Sequence, residues 1–250
     1  MDIWKFFDIT HRDHVICNPT SEVKLDELVA LLRLPKRARV VDIASGKGEL
    51  LFRITEAYIA RCTGVDVSPQ FVAQARARLS KRLSATGVEL VEMDGAKFQP
   101  ETPHSLSLVS CLGASWIYGG HGGTLDALAT MVEPGGWIIV GEPFWIQEPT
   151  DEYLQVLEQK RESFGTHESN ARAGIDRGLE LVYTLVSSKD DWDRYEGLQW
   201  YAASNYAHDN PNDPDVPELI ERVERQKMAY LKWGRETLGW AIYMFRSPMG

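Results

Sequence analysis

An apolar run that ends in a glycine-containing turn places the strongest constraint on the fold of this chain. The run begins at Val40 and Val41, the turn contains Gly46 and Gly48, and an amphipathic segment follows from Leu50. This order predicts a buried strand, a tight loop and a helix whose N-terminus faces the same point. Glycine has no Cβ, so the backbone can turn sharply and a ligand can approach it closely. The free N–H groups of the first helical turn add hydrogen-bond donors and partial positive charge. The stretch therefore predicts a binding site for a nucleotide-like ligand.

Strand-like and helix-like segments alternate along the rest of the chain. Apolar, β-capable runs predict six further strands, at residues 62–67, 88–94, 105–111, 137–141, 179–187 and 240–246. Helical patterns cover residues 47–60, 151–164, 190–208 and 214–238. The helix after Pro69 has a single apolar stripe, formed by Phe71, Ala75, Leu79 and Leu83. Alternation of this kind predicts an α/β protein whose parallel sheet carries helices on both faces.

The last two predicted strands are separated by residues 189–239. These residues contain two predicted helices and, between them, a helix-breaking run rich in Asn, Asp and Pro. We interpret them as a helical cap inserted between the last two strands. The predicted organisation is an N-terminal helical flap at residues 1–34, a core at 35–188, the cap at 189–239 and the last strand of the core at 240–250.

Composition narrows the class of partner. The net charge of -9 argues against nucleic acid, because phosphate binding needs a basic face. No apolar run reaches the roughly 20 residues that span a bilayer, and the acids Asp2 and Asp8 do not suit a signal peptide. Cys17, Cys62 and Cys111 include no close pair, so neither a disulfide framework nor a thiolate metal site is supported. We expect a cytoplasmic protein that acts on a small molecule, without a nucleic-acid or membrane partner.

Four features, in order, resemble those of the class I S-adenosylmethionine-dependent methyltransferases. They are Asp42-x-Ala44-x-Gly46-x-Gly48 after the first strand, Asp66 at the end of the second, Asp94-Gly95-Ala96 after the third and Pro134-Gly135-Gly136 before the fifth. The family's first motif has glycine where this chain has Ala44, a departure that adds one methyl group. The resemblance implies a Rossmann-like methyltransferase fold. That fold is a doubly wound, seven-stranded, mostly parallel sheet whose last two strands form an antiparallel edge.

The resemblance also implies S-adenosylmethionine as cofactor and S-adenosylhomocysteine as product. In this family the acid after the second strand binds the ribose hydroxyls and the acid after the third faces adenine. Those roles would belong to Asp66 and Asp94, and a carboxylate can accept from two neighbouring hydroxyls at once. The predicted cofactor-binding residues are Asp42, Ala44, Ser45, Gly46, Gly48, Asp66, Val67, Asp94, Gly95, Ala96 and Cys111.

The acceptor of the methyl group is expected beyond the fourth and fifth strands, under the flap and the cap. Alignment and exclusion of water can supply much of the catalysis without a dedicated base. If a base takes part, the catalytic candidates are Glu142 after the fifth strand and His14 in the flap; both also have structural interpretations. The predicted substrate-binding residues are His11, Trp116, Tyr118, Trp145, Trp200 and Tyr201. The aromatic residues of the cap have the alternative role of gluing the cap to the body. The fourth strand lacks clustered acids at its end, so no metal is predicted.

The sequence therefore predicts an S-adenosylmethionine-dependent methyltransferase that moves a methyl group to a small molecule by in-line displacement. Two alternatives stay open at this point. One is a protein that binds S-adenosylmethionine without transfer activity, since the glycine loop and the two acids serve binding alone. The other is a nicotinamide-dependent oxidoreductase on a related sheet, against which the missing third glycine of the dinucleotide motif counts. The sequence does not specify the acceptor, the atom methylated or the oligomeric state.

Overall fold

The computed structural model describes residues 1–82 and 87–249, so Leu83 of the predicted stripe and Gly250 of the predicted last segment lie outside the described residues. The strands in this part of the chain are β1 (Arg39–Ile43), β2 (Arg61–Asp66), β3 (Val88–Glu92), β4 (Leu106–Leu112), β5 (Val132–Trp145), β6 (Glu180–Val186) and β7 (Leu238–Arg246). They form one seven-stranded sheet in the order β3-β2-β1-β4-β5-β7-β6. The predicted seven-stranded sheet is confirmed.

The direction of the strands follows the expected pattern. Strands β3, β2, β1, β4 and β5 pair in parallel, whereas β7 is antiparallel to both β5 and β6. Strand β1 lies between β2 and β4, so the strand order reverses beside its carboxyl end. Open α/β sheets bind ligands in the crevice at such a switch point.

Helices cover both faces of the sheet. They are α1 (Ile3–Thr10), α2 (Glu22–Leu32), α3 (Glu49–Ala57), α4 (Pro69–Arg82), α5 (His121–Ala129), α6 (Asp151–Leu157), α7 (His167–Ile175), α8 (Lys189–Asp209), α9 (Val216–Ala229) and α10 (Arg235–Thr237). A π-helical turn, Tyr230–Gly234, joins α9 to α10. On one face Leu28 of α2 and Leu51 of α3 pack in a buried cluster with Val40 of β1. On the other, Leu125 of α5 packs with Val41, the next residue of the same strand. Neighbouring strand residues point to opposite faces, which explains why both sides of the sheet are apolar.

The first helix packs on the cap. Phe6 and Ile9 of α1 form a small buried cluster with Ala203 of α8 and with Leu219 and Val223 of α9. Helix α2, by contrast, packs on the sheet. The N-terminal segment therefore bridges the core and the cap. No helix in the described part of the chain combines the length and the apolar character that a bilayer crossing requires.

Two predicted elements have the wrong extent. Strand β5 runs from Val132 to Trp145 instead of residues 137–141, because the Pro134-Gly135-Gly136 segment lies within the strand and the pairing with β7 continues past Gly141. Glu142, predicted to follow the strand, therefore lies within it. Gly135 adopts a φ of +74°, and Ser247 exchanges backbone hydrogen bonds with Gly135 and Gly136, which extends the pairing. The helix predicted at residues 151–164 ends at Leu157, because Glu158 adopts a left-handed φ of 55°. A short 3-10 turn and helix α7, which the sequence analysis does not predict, follow.

Candidate functional site

The loop between β1 and α3 folds over the end of β1 because three of its residues have a left-handed backbone. Their φ angles are 56° at Ala44, 53° at Gly46 and 76° at Gly48. A Cβ on Gly48 would lie 2.8 Å from Cζ of Phe52, so glycine is required there for space as well as for conformation. Ala44 occupies the left-handed region despite its Cβ, which is uncommon. The alanine thus keeps a backbone geometry that glycine adopts more readily.

The carboxylate of Asp66 ties this loop to the end of β2. It accepts hydrogen bonds from the backbone N–H of Gly46 at 2.8 Å and of Ser68 at 2.9 Å. Burial raises the pKa of Asp66, although these N–H donors favour the charged form. A carboxylate offers about four acceptor positions. Positions therefore remain with which Asp66 can accept from a ligand's hydroxyl groups.

A cavity of about 480 Å³ lies where the carboxyl ends of β1, β2 and β4 meet. The predicted cofactor-binding residues that line it, here called the inner half, are Asp42, Ala44, Ser45, Gly46, Asp66, Val67, Asp94 and Gly95. The other three lie beside it. Gly48 is the N-cap of α3, Ala96 donates its backbone N–H to Asp94, and the side chain of Cys111 is buried in the core. The structure thus gathers most of the predicted cofactor residues around one cavity of ligand size.

Two further carboxylates reach the inner half. Asp42 is buried and accepts a hydrogen bond from Oγ of Ser110 at 2.7 Å, and its burial raises the pKa of this carboxyl to about 7. Asp94 accepts from the backbone N–H of Ala96 at 3.0 Å. The neighbouring Gly95 has no room for a side chain, since a Cβ there would lie 2.6 Å from Cγ2 of Ile43. The chain after β3 is therefore packed tightly against β1.

The rest of the cavity wall is mainly aromatic and apolar. This outer half comes from the N-terminal segment, the start of α4, residues 112–117 and α8, and its lining includes Trp4, Phe7, His11, Asn18, Phe71, Leu112, Trp116, Ile117 and Tyr195. His11 and Trp116 are predicted substrate-binding residues that the structure places here. Trp116 is 74% exposed and lies at the rim. Inner and outer halves are one continuous cavity.

Several residues of the outer half are not predicted from the sequence. Asn18 is not singled out from the sequence, and Phe71 is noted only as a member of an apolar stripe. Tyr195 is not singled out at all. It lies one helical turn after Trp192, in the aromatic series of the cap, so reading that series at helical spacing would have found it.

Lys47 fastens the N-terminal segment over the cavity. Its Nζ donates to the backbone carbonyls of His11 at 2.6 Å, Arg12 at 3.1 Å and His14 at 3.0 Å. The residue is only 4% exposed, and burial lowers the pKa of the ammonium. Because Lys47 belongs to the glycine loop, these hydrogen bonds connect the loop to the N-terminal segment.

A chain of hydrogen bonds runs from Tyr195 into α1. Oγ of Thr10 donates to the carbonyl of Phe6 at 2.9 Å, so it accepts from Nδ1 of His11 at 3.1 Å. Nε2 of His11 is then left as an acceptor for the hydroxyl of Tyr195 at 3.0 Å. Burial lowers the pKa of His11 to about 3, so the ring is neutral near pH 7. Tyr195 lines the cavity, and its phenol oxygen can still accept a hydrogen bond.

The other predicted substrate and catalytic residues do not line the cavity. Tyr118 supports it from outside, donating its hydroxyl to the carbonyl of Gly95 at 2.9 Å. Nε2 of His14 donates to the carbonyl of Tyr195 at 2.9 Å. Trp145 is buried against Tyr153, Trp200 packs in the cluster between α1 and the cap, and Tyr201 is 60% exposed.

Glu142 lies behind the cavity wall. Its Oε1 accepts from Oγ of Ser115 at 2.9 Å, and Ser115 stands between the lining residues Ala114 and Trp116. Its Oε2 is 4.0 Å from Nδ1 of His121, and neither atom has a hydrogen-bond partner among the described residues. The carboxylate is 4% exposed, and burial raises its pKa to about 7. Through its hydrogen bond with Ser115, Glu142 helps to position residues 114–116 of the cavity wall.

We expect Glu142→Gln to become more stable than the wild type as the pH rises. The folded state raises the pKa of the Glu142 carboxyl from 4.5 to about 7. The protein therefore loses stability as the pH rises through this range, because the unfolded chain ionises the group more readily. Glutamine keeps the acceptor for Ser115 and removes the titration. The difference in the free energy of unfolding should grow to about 2 kcal/mol above pH 7. Urea unfolding at several pH values measures it, with Glu101→Gln, an exposed site, as control. Parallel pH profiles for Glu142→Gln and the wild type would contradict this assignment.

Metal-ligating side chains do not converge in the structure. Across residues 1–82 and 87–249, no three His, Cys, Asp or Glu side chains are placed to hold a metal ion. Cys17, Cys62 and Cys111 are free thiols. The acids of the cavity thus make contacts with hydrogen-bond donors of the protein.

Comparisons with known proteins identify the family. A family model described as a methyltransferase domain matches residues 40–136. The uncharacterized protein YjhP of Escherichia coli (strain K12) is 31% identical over 97% of this chain and 98% of its own, and its crystal structure gives a TM-score of 0.91. A SAM-dependent methyltransferase from Thiobacillus denitrificans, solved in complex with S-adenosyl-L-homocysteine, is 33% identical, with a TM-score of 0.91 over 99% of this chain and 100% of that one.

Part of the chain is also similar to enzymes whose names specify a substrate. Trans-aconitate 2-methyltransferase of Methylobacterium nodulans is 33% identical over 133 residues, which are 52% of this chain and 47% of that enzyme. Together with the full-length matches, this leaves no support for the nicotinamide-dependent alternative. The cofactor of this family is S-adenosylmethionine, and the chain belongs to the class I S-adenosylmethionine-dependent methyltransferases.

Proposed function

We propose that this methyltransferase transfers the methyl group to a small molecule that binds in the outer half of the cavity. The observation that carries the proposal is the continuity of the cavity, in which a polar half lined by Asp66 and Asp94 adjoins a half lined by Trp4, Phe7 and Trp116. An enzyme that aligns two bound reactants gains most from holding them in one enclosed space.

The inner half has hydrogen-bond acceptors that suit the polar groups of S-adenosylmethionine. Asp66 has acceptor positions for a ribose, and Asp94 has them for an amine. Gly46 has a left-handed φ of 53°, which side chains rarely adopt, and a Cβ there would point toward Cys17 at 3.7 Å. When bound, the cofactor supplies a methyl group on a positively charged sulfur, which is open to displacement by a nucleophile. The roles of Asp42, Ser45 and Val67 in binding it are part of the same proposal.

The chain's own residues would align the acceptor and exclude water. The N-terminal segment, held by Lys47, lines the outer half of the cavity, where it would help to exclude water once both reactants are bound. The phenol oxygen of Tyr195 offers the acceptor one hydrogen-bonding group, held in place by His11. Glu142 and His14 act as positioning residues in this proposal, because each contacts a segment of the wall and neither lines the cavity. In-line displacement requires no further group to take part in the transfer itself.

The lining also restricts the charge of the acceptor. Trans-aconitate carries three carboxylates, which would need cationic partners. Among the described lining residues the one Lys or Arg is Lys47, and three backbone carbonyls already accept from its Nζ. We therefore propose a largely apolar acceptor whose polar groups meet Tyr195 and the amide of Asn18, a different class from the substrate named for the trans-aconitate enzymes.

Transfer of a labelled methyl group tests the class of acceptor. The protein is incubated with methyl-labelled S-adenosylmethionine and a cell extract separated into low-mass, protein and nucleic-acid fractions. We expect enzyme-dependent label in the low-mass fraction, in products that partition into organic solvent. The negative charge of the protein opposes nucleic acid, and the covered cavity opposes a folded protein. Label confined to the macromolecular fractions would contradict the proposal.

A further inference from the structure

The cap contains a second cleft that the proposed transfer does not use. It has a volume of about 730 Å³ and lies between α6, α8 and α9. Tyr195 is on the wall of both this cap cleft and the cofactor cavity. The two spaces are therefore neighbours that share one residue.

The wall of the cap cleft presents aromatic rings in fixed positions. The rings of Trp192 and Tyr230 are stacked with centroids 6.3 Å apart, and Tyr195 meets Trp192 edge-on at 6.0 Å. The hydroxyl of Tyr230 donates to Asp193 at 2.7 Å, and Arg235 holds the same carboxylate at 3.0 Å. These hydrogen bonds hold the ring of Tyr230, on which Trp192 stacks.

A carboxylate without a cationic partner lies beside these rings. Glu196 follows Trp192 by one helical turn and lines the same cleft. In the described part of the chain no Lys, Arg or His nitrogen lies within ion-pair distance of it, although exposed carboxylates elsewhere, such as Asp126, are paired. Burial raises the pKa of Glu196 to about 7, and the neighbouring indole of Trp200 offsets part of this rise.

We propose that the cap cleft binds a substituted ammonium ion, with Glu196 as its counter-ion and the faces of Trp192, Tyr195 and Tyr230 around its alkyl groups. Aromatic faces attract organic cations through their quadrupoles, and the attraction increases when the cation is desolvated. Four glutamates line the cleft against two arginines, Arg222 and Arg225. The guanidinium of Arg222 already lies 3.8 Å from the ring centroid of Phe6. The charge of the cleft thus favours a cation over an anion.

Calorimetric titration of the full chain with choline tests the proposal. The comparison ligand is the neutral carbon analogue of choline, in which a tert-butyl group replaces trimethylammonium and the shape is kept. We expect choline to bind at least about 10-fold more tightly than the analogue, as the charge contribution implies. Equal binding of the two ligands would overturn the proposal, and so would the absence of choline binding or tighter binding of citrate through the arginines.

Variants locate the site. Glu196→Gln should weaken choline binding roughly 10-fold or more, whereas Glu221→Gln, at another glutamate of the same cleft, should change it less than about 2-fold. Binding of S-adenosylhomocysteine should be unchanged in both, which shows that the variants are folded and separates this proposal from the methyl-transfer one. Unchanged choline affinity in Glu196→Gln would overturn the assignment.

The pH profile gives an independent readout. The charged or titratable groups that face Glu196 across the cleft are Tyr153 and Glu158 on the α6 side and Glu218, Glu221, Arg222, Arg225 and Tyr230 on the α9 side. Choline keeps its charge at every pH, so ionisation of Glu196 should make its affinity rise from about pH 6 to about pH 8. The rise should vanish in Glu196→Gln. A rise of the same size in that variant would show that another group is responsible and would contradict the proposal.

Discussion

Replacing Asp66 with alanine should weaken the binding of S-adenosylhomocysteine by roughly 100-fold, or about 2.7 kcal/mol. The carboxylate has acceptor positions for the ribose hydroxyls, and it also fixes the N–H groups of Gly46 and Ser68. Its removal takes away the ligand's partner and loosens the loop that shapes the inner half. Calorimetric titration at one pH measures the loss.

The control for this experiment is Asp126→Ala. Asp126 is an exposed carboxylate on α5, away from the cavity, and it forms an ion pair with Arg177. We expect its substitution to leave the affinity unchanged. Circular dichroism should show both variants folded. If the Asp66 variant kept the wild-type affinity, the assignment of this carboxylate to the ribose would be wrong.

Replacing Lys47 with methionine should lower the free energy of unfolding by about 3 kcal/mol, because charge-assisted hydrogen bonds are lost from buried carbonyls. Methionine fills most of the volume of the lysine stem but donates nothing to His11, Arg12 and His14. The N-terminal segment should then detach from the glycine loop. Urea unfolding measures the stability, and the rate of tryptic cleavage after Arg12 reports the detachment.

Lys36→Met is the matched control, since Lys36 is exposed in the turn before β1. It should leave both the stability and the cleavage rate as they are in the wild type. An unchanged cleavage rate in the Lys47 variant would show that other contacts keep the N-terminal segment in place.

Much of the core could be predicted from local patterns. The glycine loop and the acids at Asp42, Asp66 and Asp94 each follow a run of apolar residues, and the carboxyl ends of parallel strands meet at one edge of a sheet. Order along the chain therefore determines their proximity in space. The same logic explains why the fold and the cofactor class are confirmed together.

The parts that could not be predicted depend on contacts between distant segments. Tyr195 and His11 are 184 positions apart in the chain, and no pattern in the residues around either one predicts their hydrogen bond. Glu142 is predicted near the acceptor, but its face of β5 follows from packing: with Val140 and Phe144 it points toward α5 and α7. The long β5 depends on Gly135, whose left-handed backbone lets a segment with turn residues continue as a strand.

A crystal structure of the protein grown with S-adenosylhomocysteine would show directly where the cofactor binds. We expect the ligand in the cavity at the end of β1, with its ribose hydroxyls on Asp66, its adenine near Asp94 and its sulfur toward the half lined by Trp116 and Tyr195. The cap cleft should be free of it. Density for the ligand in the cap cleft, or a ribose that makes no contact with Asp66, would show that the cofactor site is assigned wrongly.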